Sequence, residues 1–242
     1  MEQLAFTEFL NRIFGGAVLS LLHALNIQPA NPVAPIPNNV AMEVLVFLFL
    51  MTFFVAVRMR LSVDSPGGLQ HVMEGIEGFV GDLGHEIIGH NYHPYVPYLV
   101  ALGLFILSCN LIGLIPGLES PTAVPVVPLG CAIVTWLYYH FQGLKANGLG
   151  YFKHFIGPVW WLAILMFPIE VFSHLARVLS LTIRLFANMF AGEMVTLVFF
   201  SLIPLGVPII FQGLHIGVAF IQTYIFVLLA CVYLGEATAH EH

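Results

Sequence analysis

Charged residues are scarce in this chain of 242 residues. Lys, Arg, Asp and Glu make up 8% of it, 59% of the residues are hydrophobic, and the mean hydropathy is +0.93. Soluble globular domains carry about 25% charged residues, so this composition predicts an integral membrane protein. The net charge of −6 comes with no basic patch or stripe, which argues against a nucleic-acid partner.

Cysteines and the common catalytic motifs are also sparse. Cys109, Cys131 and Cys231 lie in apolar runs without C-x-x-C spacing, which predicts buried free thiols. No G-x-S-x-G element, Walker lysine or Gly-rich dinucleotide turn occurs in the sequence. We therefore expect no phosphate chemistry and no cofactor. The start MEQLAFTEFLNRIF lacks the basic region and cleavage site of a signal peptide, so the first membrane segment is expected to direct its own insertion.

One group of histidines resembles a metal motif at first sight. His85, Glu86 and His90 form H-E-x-x-x-H, with the histidines five residues apart. The zinc motif H-E-x-x-H requires a spacing of four, which places both imidazoles on one helical face. We therefore expect no metal site.

Apolar runs predict an all-α membrane domain with five transmembrane helices and additional interfacial helices. A span needs about 20 mostly apolar residues. Residues 40–60 form the first span, 95–144 a helical hairpin of two spans, and 160–237 a long hairpin of two more. Residues 1–39 are predicted to be an external amphipathic segment. Residues 66–91 mix apolar and acidic residues at helical spacing and are predicted to lie on the cytoplasmic surface.

The few basic residues predict the orientation of the chain. Arg58 and Arg60 follow the first span, and Lys145 and Lys153 follow the third. Positively charged loops favour the cytoplasm, so the N-terminus is expected outside and the C-terminus in the cytoplasm.

The last two apolar segments are too long for upright spans. Residues 168–203 would reach about 54 Å as one helix and residues 208–237 about 45 Å, against about 30 Å of hydrocarbon. They must tilt steeply or break. We expect a steeply tilted hairpin that turns between Ser201 and Pro208.

Polar side chains recur along this hairpin at helical spacing. Counting residues outward from the turn near Pro204 places two pairs of polar residues at similar depths in the membrane: Glu193 with His215, and Arg184 with Gln222. One face of the first helix carries Glu170, Ser173, His174, Arg177, Ser180, Arg184 and Asn188, and the second helix carries His215, Gln222 and Tyr233.

Arg184 is the strongest functional candidate. A cation at this depth costs from about 3 to more than 10 kcal/mol and normally faces water or a partner. Glu170, His174 and Arg177 lie near a helix end, where snorkelling is inexpensive, so structural and functional roles both stay open for them. Asn110 in the second span is interpreted as a helix–helix hydrogen bond rather than as a conducting group.

The string S-L-T-I-R-L-F-A-N-M-F-A-G-E, followed by LHIGVAFIQTYIFVLLACVYL, resembles subunit a of the bacterial F-type ATP synthase. The resemblance implies a non-catalytic stator subunit beside a rotating ring of c subunits, with two offset half-channels for protons. It implies that Arg184 faces the ring carboxylate, with Ser180 and Asn188 as its neighbours. Glu193, His215 and Gln222 would line the outer half-channel and Glu170 the inner one.

The resemblance also implies the partners and the location. The partners would be the c ring, peripheral stalk b subunits, the remaining synthase subunits and membrane lipid, and the location the bacterial plasma membrane. Two other classes remain as alternatives: a secondary ion transporter with an intramembrane ion pair, and an intramembrane hydrolase. A transporter typically shows duplicated halves and a hydrolase needs a nucleophile with a base in reach, and neither pattern is found.

Overall fold

A computed structural model describes residues 4–28, 31, 33–63, 66–115, 117–151, 163–202 and 206–239. These ranges contain no strand, which confirms the predicted all-α fold. Outside them lie residues 203–205 of the turn predicted between Ser201 and Pro208, the start of the long hairpin at 160–162, Lys153 and the last three residues. The helices are α1 (Ala5–Ala24), α2 (Asn38–Met59), α3 (Gly68–Ile88), α4 (Val96–Ile112), α5 (Val126–Asn147), α6 (Ala163–Leu202) and α7 (Val207–Thr238).

Glycine and proline mark two helix boundaries for clear reasons. Gly89 directly after α3 and Gly206 directly before α7 have φ angles of 89° and 85°. Residues with a Cβ rarely adopt this left-handed region, so glycine allows the chain to change direction there. Pro208 lies in the first turn of α7, where a missing backbone N–H removes no helical hydrogen bond.

Five helices in the described ranges are long and apolar enough to cross a membrane. They are α1, α2, His93–Ile112 containing α4, Ile164–Leu202 within α6, and α7. The number agrees with the prediction, but the membership differs. By length and composition α1 qualifies, although residues 1–39 are predicted to be external. The predicted third span, α5, does not qualify, because its second half carries residues such as Tyr138, Tyr139, His140 and Lys145.

The long hairpin predicted from the sequence is present as two long helices. At 1.5 Å per residue, the 40 residues of α6 extend about 60 Å and the 32 residues of α7 about 48 Å. Contacts along the pair show that it is antiparallel: Phe199 stacks on Phe211, Asn188 bonds Gln222, and Arg177 bonds Glu236. Both helices exceed the roughly 30 Å of hydrocarbon, which favours the predicted tilt.

The core lies where α4, α5 and α6 pack against α7. All three cysteines are buried free thiols, as predicted: Cys131 and Cys231 lie in this core, and Cys109 lies in a smaller cluster with Val46 and Leu50 of α2. Tyr98 of α4 stacks on Tyr138 of α5 and donates to the Thr135 hydroxyl at 3.0 Å. The helix α3 places Val80 and Leu83 against the same core. The core side chains that are at most 1% exposed include Leu99, Ile106, Leu185, Met189, Phe226 and Leu234.

The connection between α4 and α5, described at residues 113–115 and 117–125, is folded rather than a simple tight turn. A short 3-10 turn, Pro121–Ala123, lies shortly before α5, and both Ser120 and Thr122 are buried. The Ser120 hydroxyl donates to the Cys109 carbonyl of α4 at 2.9 Å. This bond ties the segment to α4, and the Ser120 backbone N–H also contacts Glu193 of α6, so the segment forms part of the site.

Candidate functional site

Arg184 lies near the middle of α6 with its side chain partly exposed. Its Nη2 donates to the Ser180 hydroxyl at 3.2 Å, one turn away on the same helix. Among the described residues, no carboxylate lies within ion-pair distance of this guanidinium. Ser180 is therefore a neighbour of Arg184, as predicted. No carboxylate of the described residues pairs with the positive charge of Arg184, which leaves that charge available to a group beyond them.

Towards the C-terminal end of α6 and the N-terminal end of α7, polar residues of the two long helices meet. Asn188 Nδ2 donates to Gln222 Oε1 at 2.8 Å, and Gln222 is buried. The sequence places Gln222 level with Arg184, whereas the structure pairs it with Asn188, one helical turn along. His215 is buried, and its Nε2 has no hydrogen-bond partner among the described residues.

His215 packs on a glycine of the facing helix. A Cβ at Gly192 would lie 2.6 Å from His215 Nδ1, so no larger residue fits there without displacing the ring. A cavity of about 280 Å³ adjoins this contact and is lined by both residues together with Asn188 and Phe211. A cavity of this size next to a polar atom can hold water.

Glu193 follows Gly192 and turns towards the connection between α4 and α5. Its Oε1 accepts a hydrogen bond from the Ser120 backbone N–H at 3.2 Å. Asn110 belongs to the same region: its Oδ1 accepts from the Thr122 hydroxyl at 2.7 Å, and its Nδ2 approaches the Thr223 hydroxyl of α7 at 3.4 Å. Asn110 thus joins α4 to α7, in agreement with its interpretation as a helix–helix contact.

A second polar cluster lies towards the other end of the hairpin. Arg177 Nη1 donates to Glu236 Oε2 at 2.6 Å, and its guanidinium lies 4.8 Å above the centre of the Tyr233 ring. His174 bridges Glu170, at 3.4 Å through Nε2, and Tyr139 of α5, at 2.8 Å through Nδ1.

These residues surround a polar cavity. Its volume is about 290 Å³, and Tyr151 and Ala237 complete its wall. Ser173 is half-buried and does not line it. Arg184 lies between this cavity and the one near His215 along α6, so the two polar regions are separated by the arginine.

Several residues of the site are absent from the sequence-based prediction. Glu236 and Tyr139 complete the second cluster, and Ser120 and Thr122 complete the network at Glu193. The run WLYYHF in α5 gives a local signal, because it places Tyr139 and His140 inside an apolar helix. Nothing local identifies Ser120, which acts through its backbone. No group of three or more potential metal ligands occurs in the described part of the chain.

Comparison with known proteins identifies the family. A family model described as ATP synthase A chain matches residues 40–235. The chain is 61% identical over 242 residues to a Koribacter versatilis protein named ATP synthase subunit a, covering 100% of this chain and 99% of that protein. This chain belongs to the ATP synthase A chain family.

Other members of the ATP synthase A chain family are also similar. Identity is 53% over 209 residues to ATP synthase subunit a of Solibacter usitatus, covering 86% of this chain and 90% of that protein. Identity is 45% over 198 residues to ATP synthase subunit a 1 of Syntrophotalea carbinolica, covering 82% of this chain and 84% of that protein. The predicted resemblance is therefore confirmed. Membership supports roles in ATP synthesis and proton transport, as an integral membrane component of the ATP synthase complex.

Proposed function

We propose that this chain is the stator subunit that carries protons to and from a rotating c ring through two offset half-channels. The observation that carries the proposal is the placement of Arg184 between two polar regions of the α6–α7 hairpin. Towards the turn lie Asn188, Gln222, Glu193 and His215. Towards the other end lie Glu170, His174, Arg177, Tyr233 and Glu236.

The half-channels follow from these two regions. Basic residues at the ends of α2 and α5 favour a cytoplasmic location for those ends, and with α6 running outward from there Glu193 and His215 would lie on the outer side of Arg184. The cavity beside His215 would then receive protons from outside, and the polar cavity near Glu170 would release them to the cytoplasm. The N-terminus would lie outside and the C-terminus inside.

Arg184 would separate the two half-channels electrostatically. A guanidinium does not lose its proton in proteins, so it remains a fixed positive charge. It attracts the ionised form of a carboxylate on the ring, and a proton must leave that carboxylate before it passes. The same charge repels a proton that moves directly from one half-channel to the other. Protons therefore cross only with the rotating ring.

The energetics suit a motor of this kind. Each elementary charge that crosses the membrane releases about 2.3 kcal/mol per 100 mV. Several such transfers together can supply the free energy of one ATP made elsewhere in the complex. His215 and Glu193 are side chains suited to receiving and releasing protons on the way to the ring.

The deciding test is ATP-driven acidification of inverted vesicles that carry the complex with Arg184→Ala. We expect pumping to be abolished while the complex assembles normally. Arg58→Ala, which removes an arginine at the end of α2 outside the site, is the matched control and should keep pumping. Passive proton leak, measured after the catalytic sector is stripped, shows whether the half-channels remain open. Normal pumping by assembled Arg184→Ala complexes would refute the assignment.

The alternative of a secondary ion transporter needs an ion pair within the membrane. Among the described residues Arg184 has no carboxylate partner, and Glu170 is engaged by His174 instead. Copurification separates the two functions. A stator subunit is isolated with the c ring and the peripheral stalk b subunits, whereas a transporter of this kind is isolated alone.

A further inference from the structure

The carboxylate of Glu193 is bound by a backbone group from a different part of the chain. Ser120, which is only 2% exposed, donates its N–H to Glu193 Oε1 at 3.2 Å. Within the described residues this is the one hydrogen bond to that carboxylate. A hydrogen bond from N–H to an ionised carboxylate is charge-assisted and stronger than one between neutral groups. The connection between α4 and α5 therefore restrains the position of Glu193.

The restraining segment is itself fixed by a side-chain network. The Ser120 hydroxyl contacts both the Cys109 carbonyl at 2.9 Å and the Thr122 hydroxyl at 2.8 Å. The Thr122 hydroxyl in turn contacts Asn110 Oδ1 at 2.7 Å. Each hydroxyl has one hydrogen: that of Ser120 goes to the Cys109 carbonyl and that of Thr122 to Asn110 Oδ1, so both are used and the Ser120–Thr122 contact has no hydrogen of its own. This arrangement suits a rigid scaffold rather than a proton relay.

A glycine makes the approach of this segment possible. A Cβ added to Gly113 at the end of α4 would lie 2.8 Å from Ser120 Cβ and 3.0 Å from both Ser120 N and Glu193 Oε1. Carbon atoms do not approach so closely without displacement of one partner. Any larger residue at position 113 would therefore displace Ser120, the Glu193 carboxylate or both, and so disturb the contact between them.

We propose that Ser120 is a positioning residue for proton transfer and that its backbone N–H holds the Glu193 carboxylate at a fixed place in the outer half-channel. The inference rests on the proposed function, which assigns Glu193 to that half-channel. A Glu side chain has several freely rotating bonds, and transfer between groups requires that donor and acceptor be held in reach of one another. Asn110 and Thr122 act by keeping the Ser120 segment in place.

Two substitutions at one position isolate the backbone hydrogen bond. Ser120 has a φ angle of −73°, which proline can adopt. Both Ser120→Pro and Ser120→Ala remove the hydroxyl, but only Ser120→Pro also removes the N–H. In inverted vesicles, with rates normalised to assembled complex, we expect ATP-driven pumping by Ser120→Pro to be about tenfold slower than that by Ser120→Ala.

A second pair of variants tests the same contact without proline. Gly113→Ala should disturb the contact between Ser120 and Glu193 and slow pumping, whereas Gly130→Ala, which meets no atom within 4 Å on α5, is the matched control. If the complex with Ser120→Pro fails to assemble, the comparison of Gly113→Ala with Gly130→Ala tests the positioning role. The pH dependence of passive proton conductance is a further readout. It should differ between Ser120→Pro and Ser120→Ala, because a merely structural defect lowers the amount of complex without changing that dependence.

Glu193→Gln distinguishes failure of this inference from failure of the proposed function. If Glu193→Gln leaves pumping unchanged, the assignment of Glu193 itself is wrong. If Glu193→Gln slows pumping while Ser120→Pro equals Ser120→Ala and Gly113→Ala equals Gly130→Ala, the positioning role is refuted and the proposed function stands. In a Glu193→Gln background, Ser120→Pro should no longer be slower than Ser120→Ala.

Discussion

Asn188 and Gln222 are hydrogen-bonded across the two long helices, Nδ2 to Oε1 at 2.8 Å, but they differ in exposure. Gln222 is 2% exposed, whereas Asn188 is exposed on α6. Loss of a partner is expensive only for a polar group that stays buried. Substitution of Asn188 and substitution of Gln222 should therefore have different effects on stability.

Asn188→Leu is expected to destabilise the hairpin more than Gln222→Leu. The first change leaves the buried Gln222 amide without its partner, at a cost of about 1–3 kcal/mol. The second removes the buried polar group itself, and the exposed Asn188 can bond elsewhere. Thermal dissociation of the purified complex, followed for both variants, measures the difference. Equal losses would show that the burial of Gln222 does not matter.

Gly192→Ala should disturb His215 without weakening α6 itself. The new Cβ would meet His215 Nδ1 at 2.6 Å and Cε1 at 3.0 Å, so the ring must move. Alanine favours a helix over glycine by about 1 kcal/mol, so a loss of pumping would not reflect a weaker helix. Gly78→Ala in α3, with no atom within 4 Å of the new Cβ, is the control. Pumping rates in inverted vesicles that are the same for both variants would contradict the expected contact.

His215→Ala is expected to slow proton transport but not to stop it. The ring borders a cavity of about 280 Å³, and its removal enlarges a space that water can occupy. Water or Glu193 can then carry protons in its place. The rate of ATP-driven acidification per assembled complex measures the effect. Complete loss in an intact complex would mean that the imidazole is indispensable.

Arg177 should contribute modestly to stability, whereas Arg184 is proposed to be essential for proton pumping. Its partner Glu236 has a side chain that is 53% exposed, and exposed ion pairs contribute up to about 1 kcal/mol. The guanidinium also lies 4.8 Å above the Tyr233 ring, which adds a similar amount. We expect Arg177→Ala to lower the stability of the complex by up to about 2 kcal/mol and to slow pumping without abolishing it.

Arg177→Lys separates the two contributions of that side chain. Lysine retains the positive charge but lacks the planar group that stacks on an aromatic ring. The thermal stability of the complex with Arg177→Lys should lie between that of the parent complex and that of the complex with Arg177→Ala. A stability equal to that of Arg177→Ala would assign the whole effect to the guanidinium geometry, and an unchanged stability would assign it to charge alone.

The hydrophobic pattern predicted the long hairpin and its polar face because both are local properties. The periodicity of Ser180, Arg184 and Asn188 follows from 3.6 residues per turn, and helix length is indicated by the extent of the mainly apolar sequence. The prediction that Glu193 and His215 lie at the same depth requires only that residues be counted from the turn. The structure agrees at this level, because Gly192, next to Glu193, packs on His215.

The partners of these side chains required the tertiary structure. Gln222 contacts Asn188, one turn from Arg184, because the packing of α6 on α7 decides which side chains at similar depth face each other, and counting gives only the approximate depth. Tyr139 reaches His174 because α5 packs on α6. A single helical pattern contains no information on which face of another helix it meets.

The sequence by itself determined that this chain is a membrane protein with a permanent cation on one face of a long helix, since composition and spacing are set residue by residue. Only the tertiary structure decided what surrounds that cation. It brings the Ser120 backbone to Glu193 across 73 residues and Glu236 to Arg177 across 59. Such contacts depend on how loops fold and how helices pack, and a backbone donor leaves no trace in side-chain patterns.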